Sequence, residues 1–257
     1  MTGILFTARL GSSRLPKKHL VEASSKTFIE WLILRYQRMF EREISKGSVK
    51  LILVTSDEPL NKAFEKVLRP YNVDVFFGSI SNIPIRHLSC ANRYDLKNII
   101  SIDGDDILCS PTASRLVYEK LNTGIGNDIV SSIGLPLGMN SSGYTTSYLR
   151  KCMQEITTDE KIETGWGRIF INPQKCEIKT GDHDIYDKLR FTLDYPEDAK
   201  FFQTVINFLG DKLYDISDEN LIKIVKEQEF DKINSHLFEI YWNNYNSLKE
   251  QESQNGK

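Results

Sequence analysis

The residues whose types and spacing could do chemistry fall into three clusters. The first follows the apolar run Ile4-Leu5-Phe6 and reads Leu10-Gly11-Ser12-Ser13-Arg14-Leu15-Pro16-Lys17-Lys18. A loop of glycine and serine leaving a strand can turn backbone N–H groups inward around an anion. Glycine permits positive φ and close approach of a phosphate. Arg14 brings a bidentate fork and Lys18 a point charge, with Pro16 stiffening the turn between them. That combination suits a triphosphate. It is neither the G-x-x-x-x-G-K-[ST] phosphate loop nor the G-x-G-x-x-G dinucleotide fingerprint. The plain alternative is a solvated basic turn, or a patch for an acidic partner.

The second cluster is Asp103, Asp105 and Asp106 in "SIDGDDILC". Asp103 and Asp105 share a side if the strand continues through them, and Gly104 permits a turn instead. Carboxylates on such a loop can hold Mg²⁺, which keeps its waters and takes substrate phosphates as further ligands. The plain reading is an acidic surface turn. The third cluster, "LRFTLDYPED", puts Asp194 where a strand gives way to a helix. Asp194 is either a cap for that helix or a second metal carboxylate, and nothing local decides between them.

These clusters need a frame. Short apolar runs alternate with helical patterns: strands at Gly3–Ala8, Val49–Thr55, Val73–Phe77, Asn98–Ile102 and Asp128–Ile133. Helices are expected over Thr27–Glu43, Asn61–Leu68, Pro84–Tyr94 and from Ser110-Pro111 to Leu121. That alternation predicts an α/β fold with an open, mostly parallel sheet flanked by helices. In such sheets the ligand crevice lies outside the carboxyl ends of the strands. The first cluster follows strand one and the second follows strand four, so they can share that crevice. Thr55 and Asp57 in the loop after the second strand are expected to line it too. From Gly134 to about Lys188 the pattern loosens, which reads as an insertion, a flap or a dimerisation arm. A strand then returns over Lys188–Leu193, followed by helices from Pro196 and Ser217. Residues 1–250 read as one domain and 251–257 as a polar, frayed tail. "LFEIYWNNY" reads as core.

Composition narrows the class. The 257 residues carry 33 Lys+Arg against 35 Asp+Glu, a formal net charge of −2. That balance lacks the basic excess of a nucleic-acid binder. Four scattered cysteines form no metal-ligand spacing and fit free thiols in a reducing cytoplasm. No basic leader precedes a long apolar stretch, and no apolar run reaches the roughly 20 residues a membrane helix needs. A soluble cytoplasmic protein is expected. The four histidines sit in no recognisable motif. His19 and His87 flank the candidate loops and read as polar structural residues.

Together the clusters resemble a family. "ARLGSSRLPKKHL" looks like the A-R-x-x-S-x-R-L-P-x-K-x-L signature of the cytidylyltransferases that make CMP-sugars, of acylneuraminate, 3-deoxy-manno-octulosonate and spore-coat-polysaccharide types. "IDGDDILCSP" and "LRFTLDYPEDAKFF" resemble the family's G-D-x-P and late R-x-T-x-D-x-P-E-D segments, in the same order and at plausible distances. The resemblance implies a GT-A-like (Rossmann-like) fold, CTP as donor, Mg²⁺, an acidic sugar as acceptor, a homodimer, and a place in surface glycan biosynthesis. Carried over by position, Leu10, Gly11, Ser12 and Ser13 form the nucleotide loop. Arg14 and Lys18 contact the triphosphate, Arg86 the nucleotide or sugar, and Asp103 the nucleotide. Asp105 and Asp194 hold the metal. Three departures stand out. Lys17 replaces a common Gly, Ile107 replaces a Pro, and Pro136–His183 matches only loosely, with Trp166 as one acceptor anchor. The rivals are a GT-A glycosyltransferase using the D-x-D at 103–105, a nucleotidyltransferase with another NTP or a phosphate or phosphonate acceptor, and a non-catalytic docking domain.

Overall fold

A computed structural model describes residues 1–123, 126–156, 160–182, 186 and 188–255. In chain order the elements begin with β1 (Thr2–Thr7), β2 (Glu22–Ala23), β3 (Lys26–Thr27), α1 (Phe28–Met39), α2 (Glu41–Ser45) and β4 (Val49–Ser56). They continue with α3 (Ala63–Leu68), β5 (Asp74–Gly78), α4 (Ile83–Tyr94), β6 (Asn98–Asp103), α5 (Pro111–Asn122) and β7 (Ile129–Ile133). Last come β8 (Ser142–Thr145), α6 (Thr146–Cys152), β9 (Lys175–Lys179), α7 (Pro196–Leu209), α8 (Asp218–Glu227) and α9 (Phe238–Asn255).

Among the described residues the main sheet has seven strands in the order β5-β4-β1-β6-β8-β7-β9. All its pairings are parallel except those of β8, which runs against both β6 and β7. The chain leaves β1 toward β4 and β5, then crosses back to β6 on the other side of β1. The order therefore reverses between β1 and β6, and a crevice opens at their carboxyl ends. Thr7 and Asp103, the last residues of these strands, lie directly opposite each other.

Alternation along the strands fills both faces of the sheet. Ile4 and Phe6 pack with Leu51, Leu53 and Ile102 against α1 and α5. Leu5, Ile52 and Val54 face the other way, onto α4 and Tyr148. A further cluster joins Phe28 and Trp31 of α1 to Phe191, Leu193 and the apolar face of α7. The helix starts follow their caps: Ser110 Oγ accepts from the Ala113 N–H at 2.9 Å and Ser217 Oγ from the Asn220 N–H at 3.3 Å.

The loosely patterned middle of the chain differs from expectation. It supplies β8 to the middle of the sheet and β9 to its edge, so this part belongs to the main layer. Its end at 183 lies outside the described residues. Lys188–Leu193 does not form a strand. It is an extended segment with one bridge, Arg190 to Leu137, and it is tied by the Phe191 N–H to Leu137 O at 2.8 Å. Residues 251–255 continue α9, with Glu252 buried, and 256–257 of the expected tail lie outside the described residues. No helix among the described residues is long and apolar enough to cross a membrane.

Candidate active site

The crevice past β1 and β6 is a cleft of about 870 Å³, a size suited to a small organic ligand. Gly11, Ser12, Ser13, Arg14, Lys18, Arg86, Asp103, Asp105 and Asp194 all line it. The three clusters thus meet in one place, and they meet at a single ammonium. Lys18 Nζ donates to Asp105 Oδ2 at 2.6 Å, to the Leu193 carbonyl at 2.8 Å and to Asp194 Oδ1 at 3.4 Å. Arg14 Nη2 donates to the same Asp194 oxygen at 2.6 Å, and Arg190 Nη2 takes the other at 3.1 Å. Burial pushes the Asp194 carboxyl up. The charges of Lys18, Arg14 and Arg190 outweigh that and hold it below the usual carboxylate range.

Backbone geometry sets this arrangement. Gly104 donates its N–H to the Thr7 carbonyl at 2.8 Å, locking the two loops side by side. A Cβ on Gly104 would lie 2.7 Å from Ala8 Cβ, so only glycine fits there. In the first loop the left-handed residue is not Gly11 but Lys17, at φ 55°. Among the described residues no acceptor takes the backbone N–H of Gly11, Ser12, Ser13 or Arg14. Four backbone donors therefore stand at the cleft wall without a fixed partner, beside the Arg14 fork held on Asp194.

Asp194 does not cap α7. That role falls to Asp198, fully buried, whose Oδ2 accepts the N–H groups of Asp194 at 2.9 Å and Tyr195 at 3.0 Å. Asp198 also holds Arg190 through Nε and Nη2, both at 2.9 Å. His19 lies beside Asp105, with Nε2 3.3 Å from Oδ1 and Nδ1 3.2 Å from the Gly104 carbonyl. Burial first of all pushes His19 down to about 4, so it sits there neutral.

The donor set suits a hard divalent cation. Asp103, Asp105, Asp106 and Asp194 gather carboxylate oxygens at one end of the cleft, and no hydrogen bond reaches the Asp103 carboxylate among the described residues. Desolvation, then the like charge of Asp105, push Asp103 up to about 6, although the carboxyl keeps solvent contact through the cleft, which softens the effect. Among the described residues no group of three or more His, Cys, Asp or Glu is placed to hold a metal by itself. An ion here would rest on two carboxylates and complete its shell with water and phosphate, which is how Mg²⁺ binds.

Other expected residues lie elsewhere. Leu10 faces the core, with its N–H on Asn61 Oδ1 at 2.8 Å. Thr55 is fully buried with Oγ1 unpartnered, and neither it nor Asp57 lines the cleft. The strand runs on to Ser56, so the loop begins farther from the crevice than the sequence pattern suggests. Arg86 reaches the cleft, but its Nε and Nη2 are engaged by the Ser79 carbonyl at 2.8 and 2.7 Å. Trp166 both lines the cleft and packs edge-on to His87 at 5.2 Å. The sequence reading missed one wall entirely. Tyr241, Asn244, Tyr245 and Glu252 of α9 line the cleft, where the sequence pattern of "LFEIYWNNY" points to core; Ile240 and Trp242 are exposed instead. Their spacing marks one helix face, but nothing in the sequence says what that face meets.

A family profile described as cytidylyltransferase matches residues 4–164. The chain belongs to the cytidylyltransferase family. A 3-deoxy-manno-octulosonate cytidylyltransferase of Vibrio vulnificus is 26% identical over 128 residues, which is 46% of this chain and 45% of that protein. The match thus spans about half the length of the curated relative. Among solved structures, a cytidylyltransferase from Leptospira borgpetersenii serovar Hardjo-bovis has a TM-score of 0.73 at 22% identity, covering 90% of this chain and 95% of that one. A CMP:2-keto-3-deoxy-manno-octonic acid synthetase complexed with CTP has a TM-score of 0.55 at 14% identity, covering 80% of this chain and 98% of that one. At these identities the likenesses establish a shared α/β Rossmann-like fold.

Proposed function

We propose that this cytidylyltransferase-family protein transfers CMP from CTP to an acidic sugar, a 3-deoxy-ulosonic or nonulosonic acid, with release of pyrophosphate. The observation that carries the reading is the meeting of Arg14, Lys18, Asp105 and Asp194 beside four unengaged backbone N–H groups. Cations and N–H donors suit the triphosphate, and the carboxylates suit the ion that accompanies it.

In the reaction an acceptor hydroxyl attacks the α-phosphorus. A new O–P bond forms, the α–β bridging P–O bond breaks, and the hydroxyl proton passes to solvent. The loop N–H groups and Arg14 orient the phosphates. Lys18, freed from its carboxylates, neutralises charge on the departing pyrophosphate. Asp198 acts through Arg190 to keep Asp194 in place. Asp105 and Asp194 are the residues that would hold Mg²⁺, which supplies Lewis-acid polarisation of the phosphate when bound.

The test is pyrophosphate release with Mg²⁺, each NTP being tried against a panel of 3-deoxy-ulosonic and nonulosonic acids. Release with CTP and one acid, lost in Asp105→Asn, is expected. Release with another NTP, or only with a phosphate or phosphonate acceptor, would replace this reading. No pyrophosphate under any pairing, together with no CTP binding, would refute it.

A further inference from the structure

Helix α9 turns one stripe toward the cleft, with Tyr241, Asn244, Tyr245, Leu248 and Glu252 at the spacing of a single helix face. The stripe is held at both ends. Near its start the Arg190 guanidinium lies 4.5 Å from the Tyr241 ring centre, and Asn244 Nδ2 donates to the Tyr195 hydroxyl at 2.6 Å. Near its end the carboxylate of Glu252, only 9% exposed, enters the loop 163–168. Glu252 Oε2 accepts the N–H of Glu163 at 3.2 Å and of Thr164 at 3.0 Å, and Oε1 accepts the Thr164 N–H at 3.2 Å. Arg168 Nη2 adds a contact to Oε2 at 3.3 Å. Between these ends, a Cβ on Gly165 (φ +59°) would lie 2.8 Å from the Tyr245 hydroxyl, so helix and loop are in direct contact.

Two consecutive backbone N–H groups and a guanidinium are a complete recognition set for a carboxylate. The loop fixes that set in advance: Arg168 Nη1 donates to the Thr164 carbonyl at 2.5 Å and Nη2 to the Lys161 carbonyl at 3.4 Å. Glu163 and Thr164 line the same cleft as Arg14 and Lys18. Arg9, from the first loop, pairs with Glu163 at 2.8 Å and joins the two regions.

We propose that the 163–168 loop is a carboxylate seat for the acceptor, occupied in the free chain by Glu252, and that α9 is an internal competitor which the acceptor's acid group displaces. The proposal rests on the CMP-transfer reading above, which supplies a ligand of matching chemistry. A tethered competitor acts at high effective concentration and lowers the apparent affinity of the free ligand by the fraction of time the seat is closed. The wild-type chain therefore binds its acceptor weakly, and loss of the Glu252 carboxylate tightens binding.

The experiment uses the full chain and its Glu252→Ala variant. Each is titrated calorimetrically with 3-deoxy-manno-octulosonate and with N-acetylneuraminate, as free acids and as methyl esters, while hydrogen exchange is followed over residues 238–255. At least one acid is expected to bind Glu252→Ala about tenfold tighter than wild type, the scale of losing charge-assisted hydrogen bonds. The esters should show no gain. The acid should also raise exchange in wild-type 238–255 to the level that Glu252→Ala shows without it. Equal affinities, a gain shared by the esters, unchanged exchange, or no acid binding to either protein would overturn the seat. CTP binding and pyrophosphate release, measured on the same samples, test the transfer reading separately. Acid binding without CTP chemistry refutes that reading and leaves the seat standing, whereas turnover with an uncharged acceptor refutes the seat alone.

Discussion

Replacing Asp198 by alanine should remove about 3–5 kcal/mol of stability and disorganise the site from behind. Asp198 and the Arg190 side chain are both fully buried. Asp198 meets Arg190 Nε and Nη2 at 2.9 Å, the N–H groups of Asp194 and Tyr195 at 2.9 and 3.0 Å, and Asn234 Nδ2 at 2.9 Å. Arg190 already has one nitrogen, Nη1, without an acceptor. Without Asp198 its charge would rest on Asp194 alone. Removing one partner of a buried ion pair costs about 3–5 kcal/mol, and the lost cap of α7 falls within that range because such neighbours do not add. A domain holds about 5–15 kcal/mol in all. At roughly 2–4 °C per kcal/mol for a chain of this size, Tm should fall by about 6–20 °C in thermal unfolding followed by circular dichroism. The double replacement Arg190→Met with Asp198→Leu removes both charges and should recover part of the loss. A Tm drop under about 3 °C in Asp198→Ala, or a double variant no more stable than the single one, would refute this account of the pair.

Lys18→Ala should lower kcat for pyrophosphate release by about 10²–10³ while the fold survives, and unchanged turnover would remove Lys18 from the chemistry. Lys17→Gly should raise stability by about 1 kcal/mol, because Lys17 is held at φ 55° where a side chain is strained; a lower urea midpoint would contradict that. His87 sits between Tyr144 and Thr7, and burial, then Arg86, push it down to about 3. The unfolded chain takes that proton near pH 6.5 and the folded chain only near pH 3, so stability falls as pH drops through this window. His87→Gln should flatten the slope by up to about 1.4 kcal/mol per pH unit, and parallel urea-midpoint profiles would refute it. Gly104→Ala should cost about 1–3 kcal/mol by forcing β6 away from Ala8 and should weaken CTP binding through Asp105; wild-type values for both would show that the loops can part freely.

Much of this architecture is legible in the chain because its strands are short apolar runs ending in loops that carry charge. Ile4–Phe6, Leu51–Val54 and Ile99–Ile102 have the form that a buried parallel strand must have. What the pattern hides is partnership between distant segments. β8, "SGYT", is polar and glycine-containing, and it enters the sheet only because β6 and β7 leave a gap for an antiparallel strand. Lys188–Leu193 alternates as a strand does, yet its hydrogen bonds go to Leu137 and Asp105. Asp194 and Asp198 both follow an extended run, and local preference assigns the cap to either. The Arg190 guanidinium decides between them, because it binds both oxygens of Asp198 and one of Asp194.

The basic first loop looks excessive for a chain of net charge −2, and the fold shows why it is not. Lys18 reaches Asp105 across 87 residues of chain and Asp194 across 176, because the sheet order reverses between β1 and β6 and brings their carboxyl ends together. In the free protein each buried charge of the loop therefore already has a partner. Arg14 is the intermediate case: 35% exposed, it holds Asp194 while facing the cleft. On the proposed CTP reading, an incoming phosphate would exchange one anionic partner for another at Arg14 and Lys18. Lys18 would not have to be stripped of water afresh, which is the step that makes buried ion pairs expensive. The carboxylates released by that exchange are the ones whose oxygens suit a divalent cation, so phosphate and metal binding should reinforce each other in this cleft.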